Sequence, residues 1–268
     1  MCEWIYAYGV KQHFSSVWTR ESRPAKSTAL SRDQIVRAAM ELLDTEGLDA
    51  LSMRRLGARL GSGATSIYWH VANKDELLEL VMDEVFGKVA LPDPSVVGWR
   101  DAVSMFAHGL RAALFEHPWS VALIGTRPSL GPNAMEISSR LLRTFSLAGF
   151  EGMALDYASS ALMSYVLGVT TPEIAWRAAM AGAELSDEGL MAGMKSAVDK
   201  AAADHPELAA RYAEYAGEDP GTSRELNFDF GLTCILDGLQ ERLRQASMEP
   251  RATRPGPATP HEARSSEA

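Results

Sequence analysis

The chain has 268 residues, 46% of them hydrophobic and 23% charged, and carries a net charge of −9. That apolar content excludes a disordered chain, and the length suffices for a small domain beside a larger one. The acidic balance of the whole chain by itself argues against a DNA-binder, and two cysteines, Cys2 and Cys234, exclude a disulfide framework.

Residues 1–28 read as a disordered extension. They hold Trp4, Tyr6, Tyr8, Phe14 and Trp18 but no clean helical stripe, and Lys11 and His13 interrupt any apolar core. No small-residue cleavage site follows, so a secretory signal is not expected. Ser31 and Gln34 then have the spacing of a capping box, and Ile35, Ala38, Ala39, Leu42 and Leu43 recur as one helical stripe that ends at Gly47. Ser52 caps a second helix with an inner face of Met53, Leu56 and Leu60. Gly61 and Gly63 supply a turn, and a third helix, Ala64 to His70, is too short to stand alone and must pack through Ile67. Asn73 and Glu76 form a second capping box before Leu77, Leu78, Val81, Val85 and Phe86, the core face of a fourth helix.

Residues 91–97 read as a linker. Beyond them the spacing predicts helices at Trp99–Phe115, Trp119–Thr126, Ala134–Ala148, Gly152–Gly168 and Arg224–Ala246, with one short helix near 194–216. No alternating strand pattern interrupts them, so the fold class is all-α. Phe228, Leu232, Ile235, Leu236, Leu239 and Leu243 form an apolar stripe, and the helix at 152–168 is apolar on most sides. Such faces need more cover than one partner helix gives, which points to a homodimer joined through a four-helix bundle. Residues 248–268 mix Pro, Arg, Ser, Glu and Ala and read as a disordered tail. No apolar run is long enough to span a bilayer, so a cytoplasmic protein without a membrane partner is expected.

Two short helices around a glycine turn are a helix-turn-helix, which places its second helix in the major groove of DNA. The face left outward by Ile67 holds Thr65, Ser66, Tyr68 and His70, whose donors suit base edges and phosphate oxygens. Lys74 adds a positive charge, and Arg54 lies where it could reach a guanine or a phosphate. An ordinary small helical domain could show the same polar residues. The agreement of caps, turn and polar face favours the DNA reader. Charge is also uneven. Residues 20–74 hold nine Lys and Arg against six Asp and Glu, which leaves −12 for the rest of the chain. A basic head on an acidic body orients the molecule on DNA.

These residues as a set resemble the DNA-binding domain of the TetR family of bacterial repressors over residues 29–90. The matching stretches are Ile35 to Gly47, Leu51-Ser52-Met53-Arg54-Arg55-Leu56, Leu60-Gly61, Ser66-Ile67-Tyr68-Trp69-His70-Val71 and Asn73-Lys74-Asp75-Glu76-Leu77-Leu78. The resemblance implies that Ser52 and Arg54 approach DNA from the second helix. It implies that Ala64, Thr65 and Ser66 face bases or nearby phosphates and that Tyr68, His70 and Lys74 hold the backbone. Trp69 belongs to the same surface. Ala64 departs from the long amide of the tetracycline repressors, so an operator of another sequence is implied.

Residues 98–247 are similar to the tetracycline-repressor-like ligand-binding and dimerisation domain. The likeness is carried by Gly125-Thr126-Arg127-Pro128, Ala148-Gly149-Phe150, Tyr165-Val166-Leu167-Gly168 and Phe228-Asp229-Phe230-Gly231-Leu232. Effector-site candidates are Phe106, His108, Trp119, Phe145 and Tyr165. Leu123 and Val89-Ala90 stand where the resemblance places two metal-ligating histidines, so no metal site and no cofactor are expected. The chain lacks a nucleophile elbow, a phosphate loop and a zinc-spaced Cys/His set, so no enzymatic activity is expected. The expected function is a ligand-responsive regulator. In it a small apolar effector releases the protein from a palindromic operator, and the fourth helix, residues 74–89, carries the coupling. An activator of the same fold is the nearer alternative, and a helical small-molecule-binding module the more distant one.

Overall fold

The computed structural model describes residues 16–19, 30–127, 129–182, 193, 197, 199–214 and 219–248. Every regular element among them is helical: α1 (Arg32–Glu46), α2 (Met53–Arg59), α3 (Ala64–Tyr68), α4 (Lys74–Gly87), α5 (Pro94–Val97), α6 (Trp99–Glu116), α7 (Pro132–Ala148), α8 (Met153–Gly182), α9 (Pro206–Glu214) and α10 (Pro220–Met248). Single 3-10 turns lie at Leu48–Ala50 and Pro118–Ala122.

The first four helices follow their sequence signals. The Ser31 hydroxyl accepts the Gln34 N–H at 3.2 Å, and the Gln34 side chain accepts the Ser31 N–H at 2.8 Å. The Asn73 side chain accepts the Glu76 N–H at 2.8 Å, but the Glu76 carboxylate reaches one residue further back, to the Ala72 N–H at 2.8 Å. The α1 stripe is buried, with Ile35 and Ala39 fully so, and it packs on α2 and α4.

The remaining helices differ from the pattern reading in instructive ways. The segment expected as the helix Trp119–Thr126 is only the 3-10 turn Pro118–Ala122, followed by a loop in which Gly125 adopts φ 76°. The helix expected to stop at Gly168 continues through Pro172 to Gly182. A proline inside a helix costs about 3 kcal/mol. Here Thr170, Ile174 and Met180 beyond the expected stop are all buried, and their packing offsets that cost. The segment expected as a bare linker, 91–97, buries Leu91 and forms the single helical turn α5, capped by Asp93. Residues 248–268 fall outside the described residues apart from Met248, and of the 1–28 extension only residues 16–19 are described.

The core is continuous from Ile35 in α1 to Leu243 in α10, with α4 between. Helix α4 lies against α1, α6 and α7, while α6, α7, α8 and α10 pack on one another. The apolar stripe of α10 turns inward. Phe228, Leu232, Leu236, Leu239 and Leu243 are buried within the chain, against α8, instead of lying open as a dimer seam.

Candidate nucleic-acid interface

The geometry of α2 and α3 starts from three small features. The Ser52 hydroxyl accepts the Arg55 N–H at 3.2 Å and starts α2, which buries Met53 and Leu56. Gly61 takes φ 62°, a conformation that a side chain would strain, whereas Gly63 has an ordinary φ of −72° and caps α3. Gly57 is the tight point. A β-carbon there would lie 2.9 Å from the Ser62 carbonyl oxygen and 3.1 Å from the Ala64 nitrogen, so only glycine lets α2 and α3 approach this closely. Ile67, fully buried, pins the short α3 on the core.

With Ile67 inside, the opposite face of α3 turns to solvent. Thr65 is exposed, Ala64, Ser66 and His70 are half-buried, and Tyr68 and Trp69 are 45% and 57% exposed. Large aromatic side chains so open to water cost burial energy and suit a partner surface. The three arginines of α2 divide. Arg55 pairs with Glu46 and Arg59 with Glu41, both on α1. Arg54 is exposed and makes no ion pair among the described residues, so its guanidinium is available to an external acceptor. Ser52 is exposed beside it. Lys74 is half-buried and donates one hydrogen bond to the Leu48 carbonyl at 3.2 Å, which fixes its ammonium at the start of α4 with donors to spare. Ser52, Arg54, Ala64, Thr65, Ser66, Tyr68, Trp69, His70 and Lys74 therefore all belong to this α2–α3–α4 unit.

Of the five effector-site candidates, His108 and Tyr165 come together on the Phe228 ring, at 5.2 and 5.7 Å between centroids, while Phe106, Trp119 and Phe145 are buried. Phe106 and Phe145 are fully buried core, Phe145 lying 6.3 Å from the Trp99 ring and 5.6 Å from the Phe150 ring between centroids. Trp119 is buried, and its indole N–H donates to Asp44 of α1 at 2.7 Å. The Tyr165 hydroxyl donates to the Phe228 carbonyl at 2.7 Å, and burial pushes its pKa above the ordinary tyrosine value. His108 lies half in solvent, edge-on to the Phe228 ring at 5.2 Å and 3.4 Å from Asp229. Leu123 and Val89 are buried and Ala90 is exposed, which places no metal-ligating group at those three positions.

What the pattern reading missed is the set of contacts that join α1 and α4 to the remaining helices. The buried Asp83 carboxylate of α4 accepts the Ala134 N–H at 2.9 Å and the Asn133 N–H at 3.2 Å, capping α7 from another helix. The Asn133 side chain returns a hydrogen bond to the Asp83 carbonyl at 3.0 Å. A β-carbon at Gly131 would lie 2.1 Å from the Asp83 carboxylate, so this cap requires glycine there. Asp44 accepts from Trp119 and also meets His117 Nδ1 at 2.7 Å, and Arg127 pairs with Asp75 at 2.8 Å. One signal could have exposed the α4 contacts. Glu76, Glu79 and Asp83 recur at i, i+3 and i+7 within an apolar helix, and all three are buried. A charged stripe on a buried face must meet donors from elsewhere.

Comparison with known proteins agrees with this architecture. Residues 35–81 match the model of the bacterial regulatory proteins, tetR family, and residues 91–243 match the tetracyclin repressor-like C-terminal domain. An HTH-type transcriptional regulator of Saccharopolyspora erythraea is 40% identical over 230 residues, covering 84% of this chain and 91% of its own. The HTH-type transcriptional repressor DrrR1 of Streptomyces coeruleorubidus is 32% identical over 229 residues, covering 84% and 83%. The crystal structure of the Streptomyces coelicolor TetR family protein ActR in complex with actinorhodin superimposes with a TM-score of 0.67 at 29% identity, covering 81% of this chain and 99% of that one.

Proposed function

Because the chain belongs to the TetR family of bacterial regulatory proteins, we propose that it is a dimeric repressor whose α2–α3 unit reads a two-fold operator. It is a DNA-binding transcriptional regulator. The observation that carries the reading is α3 itself, pinned by Ile67 and Gly57 with its hydroxyl and aromatic face turned to solvent. Arg54, Thr65 and Ser66 supply the groups that meet bases or nearby phosphates. Ser52, Tyr68, His70 and Lys74 hold the backbone, Trp69 covers the sugar edge, and Ala64 offers only a methyl contact.

Dimer formation follows from what α8 and α10 leave outside. Met153, Tyr157, Leu226 and Phe230 are exposed apolar side chains on these two helices or their starts, and a second copy of the chain would cover them. The repressor sign is supported by the relative named as one.

The effector is an organic, largely apolar molecule that binds without an obligatory metal, among helices that offer Phe, Met and Trp. ActR, which binds actinorhodin, supports this class. Entry of such a molecule between α6, α7 and α8 would move the start of α7. Asp83, which caps α7, would carry that movement into α4 and the reading unit. An effector acts only through its differential affinity for the two arrangements. The test is release of the protein from a selected duplex by actinorhodin, with and without a chelator. Release that survives the chelator is expected. Release that a chelator abolishes, by a magnesium-tetracycline complex alone, would overturn the metal-free reading.

A further inference from the structure

We infer that Ser16, Val17 and Trp18 form a strap that ties α4 to residues 123–127 and 129–131 and thereby positions the reading unit on DNA, an inference that rests on the DNA-binding reading above. These residues lie in a lead with no helical pattern, yet they form a defined turn. The Thr19 N–H and hydroxyl both donate to the Ser16 carbonyl at 3.2 Å, and the Trp18 N–H donates to the Ser16 hydroxyl oxygen at 3.2 Å. The turn is docked. The Ser16 hydroxyl donates to the Glu79 carboxylate at 2.5 Å, and the Val17 N–H donates to the same oxygen at 3.2 Å. Ser16 and Val17 are buried, and Val17 joins the common core.

Glu79 makes the docking specific. Its side chain is on the buried face of α4, and among the described residues Ser16 and Val17 are its hydrogen-bond donors. A carboxylate at a buried position needs charge-assisted donors, and the strap supplies two. Trp18 does the second half. It roofs a cavity of about 20 Å³, room for one water, whose other walls include Met82 and Phe86 of α4 and Leu123, Ile124 and Leu130 of the loop. One four-residue turn thus holds both sides of the junction. The same junction is held below by Arg127 on Asp75 and by Asp83 under Gly131.

The consequence is positional. A two-fold operator accepts one spacing of the two reading units. Apparent affinity falls in proportion to the fraction of molecules that hold that spacing. The strap narrows the swing of α4 and raises that fraction. Residues 16–19 carry no positive charge, and both hydroxyls and the backbone N–H groups of Val17, Trp18 and Thr19 are spent on Glu79 or within the turn, which argues against a phosphate-binding role.

The test uses the full chain with Trp18→Ala, Ser16→Ala and Trp18→Phe. The first readout needs no DNA. Amide hydrogen exchange over residues 79–86 and 129–131 should speed up by about fivefold in the two alanine variants, with α10 unchanged. The second readout is affinity for a duplex that the wild-type protein selects from a random pool. It should weaken by roughly three- to tenfold, with the slope of log K against log salt unchanged and with Trp18→Phe restoring affinity. Unchanged exchange in α4 overturns the strap. Unchanged affinity overturns its positional role. A salt slope shallower by about one, with α4 exchange unchanged, would show that the segment touches DNA itself. If the wild-type protein selects no duplex, the DNA-binding reading fails, while the exchange readout still judges the strap.

Discussion

Replacing Asp83 by alanine is the perturbation that most directly tests whether its carboxylate caps α7 from α4. In the wild-type chain its carboxylate accepts the Ala134 and Asn133 N–H groups at 2.9 and 3.2 Å, at the start of α7. Losing an N-terminal cap costs about 1 kcal/mol, and losing a negative charge at a helix N-terminus costs roughly another 0.5–1 kcal/mol. The Ala134 N–H is then buried without an acceptor, which adds about 1 kcal/mol. The sum is about 2.5–3 kcal/mol, a fall in Tm of roughly 5–12 °C for a chain of this size. Asp83→Asn keeps an acceptor oxygen and removes a charge that is costly to bury, so it should stay within about 1 kcal/mol of wild type. Denaturant unfolding of the three proteins, read as the midpoint at constant m, checks the ordering. An Asp83→Ala protein within about 0.5 kcal/mol of wild type would refute the cap, since that is the range of unremarkable surface substitutions.

Two further outcomes follow from the geometry. Gly57→Ala should push α3 away from α2, because its new methyl would lie 2.9 Å from the Ser62 carbonyl oxygen; binding to a selected duplex should fall by at least about tenfold while the helical circular dichroism is retained. Phe230→Glu, at a side chain 73% exposed within the chain, should give soluble monomers by light scattering, whereas Leu236→Glu, at a buried position, should unfold or aggregate the chain itself; a Phe230→Glu protein that stays dimeric would move the interface elsewhere.

The reading unit was legible because its signals are local. Ser31, Ser52 and Asn73 cap helices through neighbours three residues away, and Ile67 is the one apolar side chain that can pin so short a helix. The head-to-body junction was not legible, because its partners lie far apart in sequence. Ser16 meets Glu79, Asp44 meets His117 and Trp119, and Asp83 meets Asn133. Local periodicity carries no information on such pairs. The same limit hides the hydrogen bond from the Trp119 indole N–H to Asp44. It also explains the α10 stripe, whose partner is α8 of the same chain. The end expected at Gly168 fails because Thr170, Ile174 and Met180 beyond it are buried, and their packing carries the helix across Pro172.

The most direct measurement is the salt dependence of binding to selected and random duplexes, for the wild-type chain and for Ser66→Ala, Tyr68→Phe and Lys74→Ala. A steep fall in affinity with salt and a selected duplex with two-fold symmetry are expected. Ser66→Ala should shift base preference, and Tyr68→Phe and Lys74→Ala should weaken all duplexes alike, with Lys74→Ala lowering the salt slope by about one. Equal affinity for every duplex at physiological salt, or variants that leave both preference and slope untouched, would contradict the operator-reading role of the α2–α3 unit.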